Sequence, residues 1–170
     1  MWRRVLQFTA PIFVVLPLLI LACSSAKDSA KFANEAAQGG LAEVELGRLA
    51  AQKGADPSVR EFGQRMVADH SKAGSELKAI AARKGLPLPG DINSDQKSEM
   101  DKLAKLSGAE FDQEYMSAML KDHEEDVKAF ETQSKEGTDA DVKAFAAKTL
   151  PTLQEHLQMA RSAAQKVGAK

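Results

Sequence analysis

Residues 56–77 read DPSVREFGQRMVADHSKAGSEL, and every signal in this segment indicates an α-helix. Asp56 is a preferred N-cap residue, and Pro57 follows at the first helical position, where its missing N–H breaks no hydrogen bond. Apolar residues then recur at intervals of three and four, the period of one helix face. That face consists of Val59, Phe62, Met66, Ala73 and Leu77. The segment therefore predicts a long amphipathic helix, which should end near Lys84.

Four further segments show helical signals, and none shows the alternation of a strand. They span residues 29–53, 94–106, 107–137 and 138–167, with Gly and Pro clusters between them. Ser107 and Glu110 have the spacing of a capping box, and Pro151 predicts a kink or a restart in the last segment. The apolar faces are Phe32, Ala36, Leu46 and Ala50, then Phe111, Tyr115, Met119, Val127 and Phe130, and finally Val142, Phe145, Thr149, Leu153 and Ala160.

Four long helices with one apolar face each can bury those faces only against one another. The sequence therefore predicts an all-α four-helix bundle over residues 29–167, with a short extra helix between the second and third long helices. The connection that contains this short helix either folds back locally or crosses the whole bundle, and the sequence leaves both open. The pair Gly39-Gly40 inside the first helix predicts a close approach between helices.

Each apolar face is interrupted by one polar residue near the middle of its helix. The four are Glu43, His70, His123 and His156, and they include every histidine of the chain. Their spacing from the apolar neighbours predicts that all four point inward, and a rise of about 1.5 Å per residue places them at similar depth. Three imidazoles and a carboxylate are a donor set typical of a transition-metal site. The sequence thus predicts one ion of zinc, iron, manganese or copper.

An acidic residue stands directly before each histidine. These residues are Asp69, Asp122 and Glu155. One residue along a helix is a turn of about 100°, so the three carboxylates lie beside the apolar face rather than within it. From that position they either hydrogen-bond to imidazoles of neighbouring helices or face water.

Two other interpretations of the polar positions are open. In the first, Glu43 and the histidines form a purely structural polar core in a structural or stress-related interaction protein of the cell envelope. In the second, methionine sulfurs join the imidazoles and favour copper, because three methionines lie three or four residues from a histidine on the same helix face. They are Met66, Met119 and Met159. Methionine on a helix face also serves as core filler.

The N-terminal segment has a different character. Arg3 and Arg4 precede an uninterrupted apolar run from Pro11 to Ala22, which is short for a membrane span and typical of a secretory leader. Cys23, the only cysteine, follows Ile20-Leu21-Ala22 as in a lipobox. We expect a signal peptide over residues 1–22, a tether over residues 23–28 and lipid attachment at Cys23. The expected location is the cell envelope, at the outer membrane and facing the periplasm.

Composition excludes several function classes. Removal of Arg3 and Arg4 from the 23 basic residues leaves 21, scattered among 24 acidic residues, and no tryptophan follows Trp2. Neither the basic surface nor the stacking platform of a nucleic-acid-binding protein is present. The chain has no Gly-rich phosphate loop and no nucleophile elbow. No catalytic residue is therefore assigned, and a redox or oxygen-dependent enzyme is a third hypothesis. The protein partner is not specified by the sequence.

Several runs resemble a bacterial family of predicted outer-membrane or periplasmic proteins of unknown function. They are GGLAEVELG at 39–47, FGQRMVADH at 62–70, KDH at 121–123 and LPTLQEH at 150–156. The resemblance extends over residues 32–160 and implies a ferritin-like four-helix fold in the envelope. Di-iron members of that fold carry Glu three residues before His. The corresponding residues here are Val67, Leu120 and Leu153, so we expect a mononuclear or degenerate site instead.

Overall fold

The structure, a computed structural model, describes the backbone of residues 18–169 and the side chains of residues 27–169. Within these residues there are five α-helices and no strand, which confirms the all-α prediction. The helices are α1 (Leu18–Lys53), α2 (Pro57–Lys84), α3 (Ser94–Lys105), α4 (Gly108–Glu136) and α5 (Ala140–Val167). The predicted signal peptide falls mostly on residues 1–17, which lie outside the described residues, as does the side chain of Cys23.

Helix α2 has the ends that its sequence predicts. The carboxylate of Asp56 accepts a hydrogen bond from the backbone N–H of Ser58 at 2.7 Å, and Pro57 is the first helical residue. At the other end Gly85 adopts a left-handed φ of 66°, and its N–H faces the carbonyls of Ala81 and Ala82. These contacts satisfy backbone groups that the helix itself leaves without partners.

Helix α1 begins earlier than predicted. It starts at Leu18 rather than near Ser29, so residues 23–28 are helical. The physical reason is the absence of a break, since no proline or glycine stands between Leu18 and Gly39. No helix among the described residues combines the length and the apolar character needed to cross a membrane.

The predicted capping box at Ser107 and the predicted restart at Pro151 are wrong, whereas the alternative of a kink at Pro151 stays a prediction. Ser107 precedes α4 but makes no side-chain capping hydrogen bond, because Gly108 has a φ of 59° and turns the first helical residues away from it. A complete capping box occurs instead at the start of α3, between Asn93 and Gln96. Helix α5 continues through Pro151 without restarting, since packing on both sides of the proline outweighs the loss of one backbone donor.

The four long helices form two packed pairs. Helix α1 packs along α2, and α4 packs along α5; the pairs meet where α2 contacts α5 and α1 contacts α4. The connection from α2 to α4 runs along α1 and crosses the length of this helical bundle. Successive residues of the connection contact successive residues of α1. Three of these hydrogen bonds are Asn34 with Pro87 at 3.2 Å, Gln38 with Gln96 at 2.8 Å, and Lys53 with the carbonyl of Ala104. The question that the sequence left open is thus decided in favour of a crossover.

Two apolar clusters fill the core, one towards each end of the bundle. The first is built around Phe62, Phe111, Tyr115 and Met119 and the second around Leu77, Phe130, Phe145 and Leu153. The predicted face of α1 is rotated around residues 32–37, where Ala33 and Ala37 are buried while Phe32 and Ala36 are half-buried. A helix of 3.6 residues per turn drifts relative to a fixed face, and α1 is long enough for the drift to matter.

Close helix approach depends on Gly47 and Gly63, not on Gly39-Gly40. A Cβ at Gly63 would lie 2.6 Å from the carbonyl oxygen of Gly47, and one at Gly47 would lie 2.8 Å from the carbonyl oxygen of Gly63. No atom lies within 4 Å of a Cβ built at Gly39, and at Gly40 the nearest is Nδ1 of His70 at 3.9 Å. The prediction for the Gly39-Gly40 pair is therefore wrong, because helix contact depends on which glycines face the neighbouring helix.

A buried aspartate joins the two helix pairs at one end. Asp112 of α4 is 2% exposed and accepts hydrogen bonds from the backbone N–H groups of Ala55 and Asp56, at 2.9 and 2.7 Å. Both donors lie in the turn between α1 and α2. This contact fixes the turn against α4 and so helps to set the relative height of the helices.

Candidate metal centre

A layer of polar side chains separates the two apolar clusters. Glu43 of α1, His70 of α2, His123 of α4 and His156 of α5 form this polar layer, and they are 0, 8, 0 and 1% exposed. One ring nitrogen of each histidine lies within 4.8 Å of those of the other two. The inward register and the common depth inferred from the spacing are therefore found in the structure.

His123 is oriented by its own helix. Its Nδ1 lies 2.9 Å from the carbonyl oxygen of Met119, one turn earlier in α4. Because a carbonyl can only accept, Nδ1 carries the hydrogen and Nε2 retains a lone pair. Nε2 is buried and has no hydrogen-bond partner. This is the state in which a histidine ligates a metal, with one nitrogen fixed by a carbonyl and the other free.

His156 is oriented by a carboxylate on the neighbouring helix. Its Nε2 lies 2.9 Å from Oδ2 of Asp69 in α2, which leaves Nδ1 buried and without a partner. Asp69 also accepts a hydrogen bond from Arg65. Burial raises the pKa of Asp69, but the hydrogen bonds from His156 and Arg65 outweigh it and hold the pKa below its usual value. Asp69 is thus an anion that fixes the tautomer of His156.

Glu43 stands between two imidazoles without a hydrogen bond to either. Its Oε2 lies 2.8 Å from Nδ1 of His70, and its Oε1 lies 3.3 Å from Nε2 of His123. Both oxygens nevertheless lack a hydrogen-bond partner, as does Nε2 of His70. Two ligand atoms that each lie about 2.0–2.1 Å from a shared zinc ion in a tetrahedral site are themselves roughly 3.3 Å apart, with their lone pairs directed at the ion. Oε1 of Glu43 and Nε2 of His123, which lie 3.3 Å apart and both lack hydrogen-bond partners, match that arrangement.

The electrostatics of the polar layer favour neutral side chains. Burial lowers the pKa of His70 and of His123, and it lowers the pKa of His156 to about 4. Burial raises the pKa of Glu43 to about 8, with His123 opposing this rise and Asp122 adding to it. At neutral pH the three imidazoles are therefore neutral and have free lone pairs. The carboxyl group of Glu43 stays protonated, because no positive charge among the described residues lies close enough to favour its ionised form.

Comparison with known proteins places the chain in a family. A family model described as Domain of unknown function (DUF4142) matches residues 22–163. The chain belongs to this family. The match contains all four residues of the polar layer, and it confirms the predicted resemblance to a family whose function is unknown. No curated protein is detectably similar to this DUF4142 chain.

A solved structure supports the fold. The DUF4142 chain is similar to the protein in "Crystal structure of DUF305 fragment from Deinococcus radiodurans", with a TM-score of 0.71 and 13% sequence identity. The likeness covers 82% of this chain and 96% of the other. At this level of identity it supports the helical fold alone.

Sequence reasoning missed one acidic group of the DUF4142 site. Asp126 follows His123 by three residues in α4 and lines the same cavity as Glu43 and His70. Burial raises the pKa of Asp126 well above its usual value, and the nearby Glu43 raises it further. The spacing of His123 and Asp126 was a usable signal, because residues three apart share a helix face.

Of the three acids that precede histidines, only Asp69 contacts an imidazole among the described residues. Glu155 is exposed and its Oε2 lies 3.4 Å from Arg65. Asp122 is half-buried in a depression beside Glu99 and Glu125, where burial and those two acids raise its pKa to about 6. Glu155 thus faces water, which was one of the two alternatives left open by the sequence. Asp122 contacts no imidazole and affects the polar layer only through its charge.

The methionines of the DUF4142 chain lie in an apolar environment. Met66 and Met119 are 0 and 1% exposed within the first apolar cluster, and Met159 packs against that cluster. This is the environment of core filler. Their role as soft ligands for copper stays a prediction.

Proposed function

We propose that the polar layer of this protein binds one transition-metal ion through Glu43, His70, His123 and His156. The observation that carries the proposal is the set of buried atoms without partners: Nε2 of His70, Nε2 of His123, Nδ1 of His156 and both carboxylate oxygens of Glu43. Buried polar groups in folded proteins are normally hydrogen-bonded. Five lone-pair donors in one layer are explained if a cation is their common partner.

The same atoms argue against a structural polar core. Such a core is stabilising when every member is satisfied, and a half-satisfied network is worse than an apolar one. Here Glu43 lies close enough to His70 and His123 to hydrogen-bond with them, yet it does so with neither. An ion would satisfy all of these groups at once.

The donor set suits one ion in a ferritin-like four-helix bundle. Three imidazoles and a carboxylate are borderline ligands that zinc, iron, manganese and copper accept. Tetrahedral binding requires the rings to move inward, since their nitrogens are spread over as much as 4.8 Å and zinc ligands lie roughly 3.3 Å apart. Asp126 is a further carboxylate at the edge of the layer. A di-iron site would need two Glu-x-x-His motifs, which the chain lacks.

The proposal includes an envelope location with a lipid anchor at Cys23. It is supported by the leader-like residues 1–22 and by the lipobox-like Ile20-Leu21-Ala22-Cys23. Replacing Cys23 by serine should abolish the incorporation of labelled fatty acid and release the bundle from the membrane fraction. Label retained by the Cys23→Ser protein would contradict the anchor.

The test of metal binding is elemental analysis of residues 24–170, purified without a histidine tag and exposed to zinc, iron, manganese and copper. Every buried residue of the two apolar clusters and the polar layer lies within this fragment. We expect close to one equivalent of metal to be retained. His70→Ala should lose it, whereas Lys72→Ala, an exposed change on the same helix, should keep it. If no metal is retained, the polar layer is structural and the search turns to protein partners.

Replacement of Asp69 by alanine should weaken metal binding without preventing it. Asp69 fixes the tautomer and orientation of His156 from α2, and loss of such a partner typically lowers metal affinity by about 10–100-fold. The affinity is measured by competition with a chelator of known strength. Glu155→Ala is the matched control, because Glu155 also contacts Arg65 but touches no imidazole. Equal affinities for the Asp69→Ala and Glu155→Ala proteins would mean that Asp69 does not position His156.

A further inference from the structure

A partly open cavity of about 240 Å³ reaches the polar layer from the surface. Its walls include the apolar side chains of Leu77, Phe130, Phe145 and Leu153. An enclosed apolar cavity of roughly 150 Å³ is large enough to hold benzene. The present cavity is larger, and charged side chains of both signs, Glu45, Arg48 and Lys78, also line it. The volume and the walls here therefore suit a molecule with the body of a single aromatic ring.

Small residues keep this cavity open. Gly40 of α1 and Gly74 of α2 both line it, and at Gly74 nothing lies within 4 Å of the position a Cβ would occupy. A glycine inside a helix is less favourable than alanine by about 1 kcal/mol. Neither glycine is required by close helix packing, unlike Gly47 and Gly63. The two glycines thus leave the space in front of His70 open, although glycine is unfavourable at both helical positions.

The inner end of the cavity is polar. Glu43, His70 and Asp126 line it, and Nδ1 of His70 lies 3.9 Å from the position of a Cβ added at Gly40. A carboxyl group and an imidazole together present both a donor and an acceptor. A hydroxyl group complements either arrangement, because it can donate and accept.

We propose that this cavity is a binding site for a small uncharged molecule with the body of one aromatic ring and a hydroxyl group that faces His70, Glu43 and Asp126. The inference goes beyond metal binding, because Asp126, which is outside the proposed ligand set, still faces the hydroxyl group when an ion takes the lone pairs of His70 and Glu43. A ligand held there would lie beside the metal centre, in reach of an ion bound by the same histidine.

The test uses phenol as the probe and the metal-free chain of residues 24–170, followed by nuclear magnetic resonance of the backbone amides. We expect saturable shifts at Gly40, Ala73, Gly74 and Leu77. Benzene, which has the same body without the hydroxyl, should bind about tenfold more weakly because the polar end is then left unpaired. Benzylamine is the charged comparison, and tighter binding of benzylamine than of phenol would overturn the assignment of an uncharged ligand.

Filling the cavity should abolish the phenol shifts. Gly74→Leu and Gly40→Leu place a side chain in the cavity while improving helix propensity, so folding is not threatened. Gly39→Leu is the matched control, because Gly39 lies outside the cavity lining and its added Cβ meets no atom within 4 Å. Shifts that persist in the Gly74→Leu and Gly40→Leu proteins, or that never saturate in the unmodified chain, would overturn the inference. Metal content is measured on the same samples, so a failure of metal binding is recorded separately.

Discussion

The His123→Leu protein should bind no metal and yet unfold at a higher urea concentration than the metal-free unmodified protein. His123 is 0% exposed, and its Nε2 has no hydrogen-bond partner. Replacing a buried unsatisfied polar group by an apolar side chain of similar size removes its desolvation penalty, which is about 1–3 kcal/mol. The loss of a ligand should lower metal affinity by more than the roughly 10–100-fold expected when only a hydrogen-bonding partner is lost.

This pair of results distinguishes a metal centre from a structural core. In a structural core whose polar groups are all hydrogen-bonded, His123→Leu would remove a hydrogen-bond partner of Glu43 and so lower the free energy of unfolding. This is measured by urea denaturation in the presence of a chelator. Met119→Leu is the matched control, because Met119 is equally buried on the same helix. It should leave both stability and metal uptake nearly unchanged. Loss of copper uptake in the Met119→Leu protein would instead support the sulfur-ligand alternative.

The metal-free protein should lose stability as the pH rises from 6.5 to 8. Burial raises the pKa of Glu43 from 4.5 to about 8, so the folded protein holds a proton that the unfolded chain has released. The stabilising contribution of this proton is complete below pH 4.5 and is lost as the pH rises towards 8. Between pH 6.5 and 8 the free energy of unfolding should fall by about 2 kcal/mol through Glu43 alone. Asp126, whose pKa is also raised, acts in the same direction.

The histidines oppose this change at the lower end of the interval, because each imidazole of the unfolded chain is still about half protonated at pH 6.5. Their folded pKa values are depressed, so the stability they contribute is present above pH 6.5 and is lost as the pH falls, through about pH 4 for His156. The measurement is a series of urea denaturations between pH 6.5 and 8 in chelator. Glu43→Gln should remove the Glu43 contribution from the curve, because the amide does not titrate, and should leave the contributions of Asp126 and the histidines in place. A wild-type curve parallel to that of Glu43→Gln would show that Glu43 is ionised throughout.

Bound metal should remove the same pH dependence. A cation in the polar layer favours the carboxylate form of Glu43, so binding releases the proton and the folded protein no longer titrates between pH 6.5 and 8. The comparison is between loaded and metal-free samples of the same protein.

Local signals along the sequence determined the helices and the inward register of the polar layer. Asp56 and Pro57 set the start of α2 through contacts within a few residues, and the interval from Met66 to His70 is fixed by the helical repeat. For the same reason Glu43, His70, His123 and His156 could be assigned inward positions before their neighbours were known. Where a local pattern was misread, as at Ser107, the cause was a backbone conformation, the left-handed Gly108.

The tertiary structure alone decided which groups meet across helices. Asp69 and His156 are 87 residues apart in sequence, and their contact depends on the rotation and height of α2 against α5. The rotation and height of neighbouring helices also determine three other features. These are the crossover beside α1, the pairing of Gly47 with Gly63 and the cavity in front of His70. A helical repeat fixes which side of a helix a residue occupies, but it does not fix how far each helix slides or turns against the next. That offset is set by the packing of the apolar clusters, which the individual segments do not encode.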